Sequence, residues 1–230
     1  TRQIANEFKI DLTSINDLNS LQRIMHKIAS EYVKMYLQYD IDNYQSFRII
    51  ELENDNDYKI KFPIEINGQE EFINLYGIID RVDEVITDLG EVKTRIVDYK
   101  TGGDVVKFST IEKVFSTNTD NKALVQTLFY TYIFEQVTGI KFLEPHLYVA
   151  RQMREEGTLF KGSYGALMEG EFLAEQKENF VAFLKETLED IFNAEIPFRH
   201  NPDSKPYPSD PYLLFYKNAI KEERDSNDAE

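Results

Sequence analysis

The stretch YGIIDRVDEVITDLGEVKTRIVDYKTGG, residues 76–103, decides the fold of this chain. It contains two runs rich in Ile, Val and Tyr, which are separated by Asp-Leu-Gly-Glu at positions 88–91. Strand-forming residues on both sides of a Gly-containing turn are the usual signal of a β-hairpin. The sequence therefore predicts two paired strands in this stretch.

Charged residues interrupt both runs at points where a core strand would stay apolar. Asp80 follows a Gly-Ile-Ile segment, Asp98 follows Arg-Ile-Val, and Lys100 lies two residues further on. Because side chains alternate along a strand, Asp98 and Lys100 project from one face and Tyr99 from the other. If the two runs pair, Asp80 and Asp98 come close together near the end of the sheet.

Two neighbouring carboxylates favour a metal site. They repel each other, and burying them unpaired is costly, so a divalent cation removes that cost. Mg²⁺ is typically held by one or two carboxylates together with substrate phosphate and water. A lysine beside the ion adds positive charge where a phosphoryl transition state gathers negative charge. The residues therefore indicate metal-assisted phosphodiester hydrolysis, with Mg²⁺ as the cofactor and Mn²⁺ as a substitute.

The segments GIIDRVD (77–83) and VDYKTG (97–102) resemble the motifs of the PD-(D/E)XK nuclease superfamily. Within that superfamily, the chain looks like the RecB/AddB-like nuclease domains of bacterial helicase–nuclease repair proteins, over roughly residues 45–200. The resemblance implies an α/β, restriction-endonuclease-like fold in which helices flank a central mixed β-sheet.

The resemblance also implies a role for each motif residue. Asp80 and Asp98 ligate the metal, and the backbone carbonyl of Tyr99 is a further ligand. Lys100 positions or activates the attacking water. These roles come from the family's pattern, and the spacing of the residues alone does not establish them.

A glutamine and a tyrosine four residues apart extend the resemblance to the following helix, ALVQTLFYTYIFEQVTG. Gln126 and Tyr130 match the family's pair and share one helix face at this spacing. The amide of Gln126 is suited to orient Lys100 or a phosphate. For Tyr130 the alternative is a plain core aromatic.

Two further residues are candidates for the metal shell. RecB-like nucleases place a metal-contacting histidine on a helix before the sheet, and His26 lies in such a helix, although Gln-Arg-Ile-Met stands where a small residue normally precedes it. Glu51 ends an apolar run, and related nucleases sometimes add a glutamate at such a position. The alternatives are a boundary histidine and a solvated carboxylate on an outer strand.

The composition argues against tight, autonomous DNA binding. The formal net charge is −15, whereas phosphate contacts from basic side chains supply most non-specific affinity for nucleic acid. An acidic domain still acts on DNA if local lysines and metal ions meet the strand, or if another domain holds the DNA.

Cysteine is absent, which excludes disulfides, thiolate zinc sites and an iron–sulfur cluster. The cluster that many relatives carry is therefore not expected, which weakens any link to CRISPR-associated exonucleases. The chain shows neither a signal peptide nor an apolar run of about 18 residues, so we expect no membrane association. These features favour a cytoplasmic location.

The expected architecture is a single nuclease-like domain over residues 1–230. Hydrophobic periodicity predicts a central sheet of four or five strands and flanking helices at 14–38, 122–138 and 172–194. Because the chain starts with Thr1, we expect it to be the C-terminal part of a longer protein. The charged residues 217–230 are expected to fray.

Three functional hypotheses follow. The first is a Mg²⁺-dependent deoxyribonuclease of double-strand break repair and recombination, exonucleolytic in preference to endonucleolytic. Its partners are single-stranded or unwound DNA and a helicase domain or subunit. The second is a catalytically inactive nuclease-like module that binds DNA or scaffolds a helicase. The third is a charged hairpin in an unrelated α/β protein.

Overall fold

The computed structural model describes residues 18–53, 58–102, 107–108, 110–115, 121–150, 161–162 and 174–198. Its helices are α1 (Ser20–Asn43), α2 (Ile111–Val114), α3 (Lys122–Thr138) and α4 (Ala174–Phe192). Its strands are β1 (Ser46–Leu52), β2 (Tyr58–Ile66), β3 (Gln69–Gly77), β4 (Arg81–Ile86), β5 (Val92–Lys100), β6 (Lys107–Phe108), β7 (Leu143–Val149) and β8 (Lys161–Gly162).

The predicted hairpin forms the middle of the main sheet. Four strands lie in the order β1-β4-β5-β7; β1 and β4 pair antiparallel, as do β4 and β5, whereas β5 and β7 pair parallel. A parallel pair needs a crossover, and α3 lies in the segment between β5 and β7. The expected restriction-endonuclease-like fold, a mixed sheet flanked by helices, is confirmed.

A separate antiparallel hairpin, β2–β3, packs against the helices. Its register runs without interruption from the pair Tyr58–Gly77 to the pair Ile66–Gln69. The two residues of its turn, Asn67 and Gly68, both have positive φ, 53° and 75°, as a tight two-residue turn requires. The chain leaves β3 at Gly77 and enters β4 at Arg81.

Two of the three predicted helices agree closely with their predicted bounds, and the first differs at both ends. Helix α3 has the predicted bounds, and Gly139 closes it with φ of 73°. Helix α4 lies within two residues of the prediction. The helix predicted over 14–38 begins at Ser20, because Asn19 caps it through a capping box with Gln22, and it continues to Asn43. Among the described helices, none combines the length and apolarity needed to cross a bilayer.

Each face of the main sheet packs against different partners. On one face, Val82 and Ile96 pack with Ile133 and Phe134 of α3. On the other face, Tyr36 of α1 packs with tyrosine and aliphatic side chains of β5 and β7. The two core strands are therefore buried on both sides, as strands beneath helices on both faces must be.

A buried ionic network fastens α1 to the sheet. The Asp40 carboxylate accepts from Arg81 Nη2 at 2.7 Å, from Arg95 Nη2 at 3.0 Å and from the Tyr148 hydroxyl at 2.6 Å. Asp83 accepts two hydrogen bonds from Arg95, at 2.8 and 2.6 Å, and forms an ion pair with Arg81. Both arginines and both aspartates are at most 1% exposed. Two positive and two negative charges thus balance in the core.

The charges in this network support one another. Burial alone lowers the pKa of the Arg95 guanidinium, but its bonds to Asp83 and the charge of Asp40 outweigh burial and raise that pKa above its usual range. The Arg81 pKa is raised for the same reason. Neither arginine therefore loses its proton, and removal of one aspartate leaves an uncompensated buried charge.

Next to this network lies a buried histidine. His146 on β7 is 4% exposed, and its Nε2 is hydrogen-bonded to Glu144 at 3.2 Å. Glu144 also forms an ion pair with Lys93 at 2.8 Å. Burial lowers the His146 pKa, and the charge of Arg95 adds to this effect, so the bond to Glu144 is outweighed. The ring is therefore neutral in the folded chain at neutral pH.

Replacement of Asp40 tests the network. We expect Asp40→Ala to lower the free energy of unfolding by about 3–5 kcal/mol, because two buried guanidinium groups lose a shared acceptor. Urea denaturation followed by far-ultraviolet circular dichroism measures the loss. The matched control, Asp42→Ala, removes an exposed carboxylate of the same helix and should change stability by less than about 0.5 kcal/mol. An Asp40→Ala midpoint equal to the parent's would contradict the prediction.

We expect the buried His146 to make the free energy of unfolding depend on pH. Because folding lowers the His146 pKa below its unfolded value of about 6.5, the unfolded chain binds a proton that the folded chain excludes. The free energy of unfolding should therefore fall as pH decreases below about 6.5, by up to about 1.4 kcal/mol per pH unit. Urea titrations between about pH 7.5 and 5.5 measure this slope.

His146→Gln should remove this contribution, whereas the control His26→Gln should keep it. The Glu144 carboxyl does not interfere, since its hydrogen bond to His146 and the charge of Lys93 overcome burial and lower its pKa. Titration of Glu144 therefore changes the free energy of unfolding only below about pH 4.3. If the free energy of unfolding changes equally with pH in the parent and in His146→Gln, the pH dependence does not come from His146.

Candidate active site

The candidate site lies where β4 begins and β5 ends, beneath α3. Arg81, the first residue of β4, pairs with Val97 of β5, and Asp98 is the next residue of β5. Asp80 lies in a bend before β4, so the strand register does not extend to it. Side-chain alternation places Asp98 and Lys100 on the face that Ile96 presents to α3. The Asp80 carboxylate contacts the N–H of Tyr99, the residue after Asp98, and the meeting of the two carboxylates stays a prediction.

Asp80 is fixed by two backbone hydrogen bonds. Its Oδ2 accepts from the Tyr99 N–H at 2.9 Å, and its carbonyl oxygen accepts from the Glu53 N–H at 2.9 Å. In an antiparallel pair the N–H and C=O of one residue face the same neighbouring strand. The Tyr99 carbonyl therefore faces the side on which Asp80 lies, as its predicted role as a ligand requires.

A chain of polar contacts joins β5 to α3. Lys100 Nζ lies 2.6 Å from Asp98 Oδ2 and donates to Gln126 Oε1 at 2.9 Å. The Gln126 amide nitrogen in turn donates to the Tyr130 hydroxyl at 2.7 Å. Asp98 is 1% exposed, and Lys100 is partly open to solvent. All four side chains predicted from the D-x-K and Q-x-x-x-Y patterns are thus in contact.

Gly77 makes room for this chain of contacts. A Cβ added at Gly77 would lie 2.5 Å from Tyr130 Cε1, which is closer than real Cβ atoms approach. The end of β3 therefore rests against the Tyr130 ring and limits where that ring can go. The sequence contained no signal of this contact, because it joins a strand to a helix more than fifty positions away in a chain of 230 residues.

Tyr99 connects the site to the buried network. Its hydroxyl accepts from Arg81 Nη1 at 3.0 Å on one face of the sheet, while its N–H holds Asp80 at the sheet's end. The sequence analysis did not find this role, nor those of Arg95 and Asp40. The available signal was arginine at positions 81 and 95 within otherwise apolar strands, which indicates buried acidic partners.

The two weaker candidates lie on β1 and α1. Glu51 stands opposite Val82 on β1 and accepts a hydrogen bond from the Tyr58 hydroxyl. Burial, and then the bond to Glu51 with its charge, raises the Tyr58 pKa above its usual range. His26 is half-buried on α1, about 15 Å along the helix axis from Tyr36, where α1 meets the sheet. Their roles in metal binding stay predictions.

The donor set suits a hard cation. Within the described residues, no three His, Cys, Asp or Glu side chains gather into a metal-binding group. The Asp80 carboxylate is held by the residue that follows Asp98, and Mg²⁺ is commonly held by one or two carboxylates while substrate phosphate and water complete its shell. The residues therefore fit Mg²⁺ held jointly with substrate, and they do not fit an all-protein zinc centre.

The fold is that of the restriction-endonuclease-like class of nucleases. The chain belongs to the PD-(D/E)XK nuclease superfamily, whose family model matches residues 3–205. No curated protein and no solved structure matches the chain. Membership indicates nuclease activity and DNA binding, and these nucleases generally use divalent metals such as Mg²⁺. The hypothesis of a charged hairpin in an unrelated protein is thereby wrong.

The contact between Gly77 and Tyr130 generates a stability prediction. We expect Gly77→Ala to destabilise the fold by about 1–3 kcal/mol, because the new methyl group collides with the ring. In a Tyr130→Ala background the same substitution should cost almost nothing, so a double-mutant cycle should return a coupling energy of similar size. Urea denaturation of the four proteins provides the measurement.

The control for this cycle is Asn74→Ala, an exposed position on the same strand, which should change stability by less than about 0.5 kcal/mol. If Gly77→Ala costs the same in both backgrounds, the ring is not what the methyl group meets.

Proposed function

We propose that this chain is a Mg²⁺-dependent deoxyribonuclease that hydrolyses phosphodiester bonds at the Asp80–Asp98–Lys100 site. One observation supports the proposal: the Asp80 carboxylate accepts from the N–H of Tyr99, the residue between Asp98 and Lys100, while the Lys100 ammonium contacts both Asp98 and Gln126. Superfamily membership supplies the reaction class. The match of these residues to the superfamily's motifs supports the assignment of roles.

Asp80, Asp98 and the Tyr99 carbonyl are the residues that would hold Mg²⁺ or Mn²⁺. When bound, the ion supplies Lewis-acid stabilisation of the charge that develops on the phosphate oxygens. The Tyr99 N–H holds the Asp80 carboxylate beside the strand that carries Asp98. No cluster of cysteine ligands is involved, since the chain contains no cysteine.

Lys100 orients the attacking group. An ammonium has three N–H donors, of which Asp98 and Gln126 accept two, so the third serves the attacking water or a phosphate oxygen. Gln126 keeps its amide oxygen toward Lys100 because its nitrogen donates to Tyr130. Tyr130 is thus a positioning residue that acts through Gln126.

We also propose the biological setting. RecB/AddB-like motif spacing favours a single nuclease domain over residues 1–230, within a longer cytoplasmic repair and recombination protein. The net charge of −15 favours a division of labour in which a helicase domain or subunit delivers unwound, single-stranded DNA. Exonucleolytic cleavage suits that delivery, because a translocating partner presents the strand in order.

The second candidate is an inactive nuclease-like module that binds DNA or scaffolds a helicase. The acidic composition and the lack of a three-carboxylate group in the described chain favour it. The geometry of Asp80, Asp98 and Lys100 favours the active enzyme. Metal binding separates the two, because a scaffold has no reason to bind Mg²⁺ at these aspartates.

Cleavage of end-labelled single-stranded DNA in Mg²⁺ tests the proposal. Asp80→Ala and Asp98→Ala should reduce cleavage to background, and Lys100→Ala should reduce the rate by about 10²–10⁴-fold, the usual contribution of a positioned proton-transfer group. The control Asp88→Ala removes an exposed carboxylate of the same hairpin and should cleave as the parent does. Parent-like rates for Asp98→Ala or Lys100→Ala would refute the assignment.

Thermal unfolding with and without Mg²⁺ or Mn²⁺ tests metal binding independently of activity. A ligand at about 100 times its dissociation constant stabilises a folded protein by about 2.7 kcal/mol. The parent and Asp88→Ala should gain stability, and Asp98→Ala should not. Circular and linear single-stranded substrates then distinguish endonucleolytic from exonucleolytic action.

A further inference from the structure

The β2–β3 hairpin presents a polar and aromatic face that the active site does not use. Register pairs Lys59 with Tyr76 and Lys61 with Asn74, and Phe72 lies in the next row. Tyr76 is 73% exposed and Phe72 is 58% exposed. We call these five residues the outer face of the hairpin.

These aromatic rings do not serve the core. The opposite face of the same hairpin carries Phe62 and Ile64, which are buried against α3 and α4. Tyr76 and Phe72 lie four residues apart on one side of β3, which separates their backbone positions by about 13 Å. Two large exposed rings in line on one strand are typical of an interaction surface.

The outer face carries positive charge within an acidic chain. In the part of the chain that the structure describes, neither Lys59 nor Lys61 forms an ion pair, whereas Lys141 and Lys177 both pair with Glu135. Toward the turn the outer side of the hairpin is acidic, since its last outward-facing row there pairs Glu65 with Glu70. The positive end is therefore the end nearer to the active site.

The outer face is continuous with the site. Tyr76 is followed by Gly77, which rests on the Tyr130 ring, and Asp80 is four residues from Tyr76. Four residues span at most about 14 Å even when fully extended. A strand lying on the outer face therefore needs to pass only the end of β3 to reach the two carboxylates.

We propose that the outer face is a stacking platform for single-stranded DNA, which guides the strand to the Asp80–Asp98 site; this inference rests on the proposed function. Single-strand binders combine aromatic rings, on which bases stack, with basic side chains that follow the backbone. Tyr76 and Phe72 supply the rings, and Lys59 and Lys61 pair with phosphates. The ladder of paired residues holds them in place before DNA arrives, which reduces the ordering cost.

Fluorescence anisotropy of the whole chain with fluorescein-labelled oligothymidine, in EDTA, measures binding without cleavage. Tyr76→Ala should weaken binding between about 5-fold and 150-fold, the range that loss of one base stack produces. Tyr76→Phe keeps the ring and should bind as the parent does. The matched control Phe142→Ala removes a ring that is also 73% exposed but lies after α3, and it should leave binding unchanged.

The lysines have a separate signature in the salt dependence. Each phosphate contact on a single strand contributes about 0.7 to the slope of log affinity against log salt concentration. The double variant Lys59→Gln and Lys61→Gln should therefore reduce that slope by about 1.4, whereas Tyr76→Ala should leave it unchanged. Lys27→Gln, an exposed position on α1, is the control. Superimposable urea unfolding curves establish that the variants fold.

The outcomes separate this inference from the proposed function. If the parent cleaves DNA and every platform variant binds DNA as tightly as the parent does, the platform is overturned and the proposed nuclease function stands. If the parent binds DNA but never cleaves it, and the platform variants lose binding, the platform is supported and the proposed nuclease function is wrong. No binding by the parent, or equal weakening by Phe142→Ala, overturns the platform. Asp98→Ala should abolish cleavage and retain binding.

Discussion

Charge balance inside the core is the constraint on which the rest of the structure depends. Asp40 of α1 accepts from both Arg81 and Arg95, so the helix cannot leave the sheet without exposing or orphaning buried ions. Arg81 also binds the Tyr99 hydroxyl, and the Tyr99 N–H holds Asp80. The position of one candidate metal ligand is thus tied to the ionic network on the opposite face of the sheet.

Strand β5 connects the ionic network with the candidate active site. Its residues alternate between Val97 and Tyr99, which face α1, and Ile96, Asp98 and Lys100, which face α3. The face toward α1 carries the ionic network, whereas the face toward α3 carries both a core cluster and the candidate site residues. A shift of register by a single residue would exchange the two faces, and the double burial of β5 is what prevents such a shift.

Sequence reasoning predicted the parts of the fold that are local. The hairpin around Asp-Leu-Gly-Glu and the bounds of α3 follow from periodicity and turn residues. The network around Asp40 could not be predicted, because its partners come from distant elements and only the folded chain places them together. The break between β3 and β4 has no sign in the sequence, because Ile78 and Ile79 continue an apolar run. The chemical roles of the site residues remain predictions.

The two-residue turn of the β2–β3 hairpin has an evolutionary consequence. There is room at the turn itself, since an added Cβ at Gly68 would meet nothing within 4 Å, whereas the other end of the hairpin rests against Tyr130. Just before the turn, the Glu65 N–H donates to Glu189 of α4. Insertions at the turn, beyond this contact, therefore lengthen the ribbon and leave the rows beside the candidate active site in place. Only paired insertions, one residue on each strand, keep the ladder in register. The length of this hairpin can thus change without disturbing the candidate site.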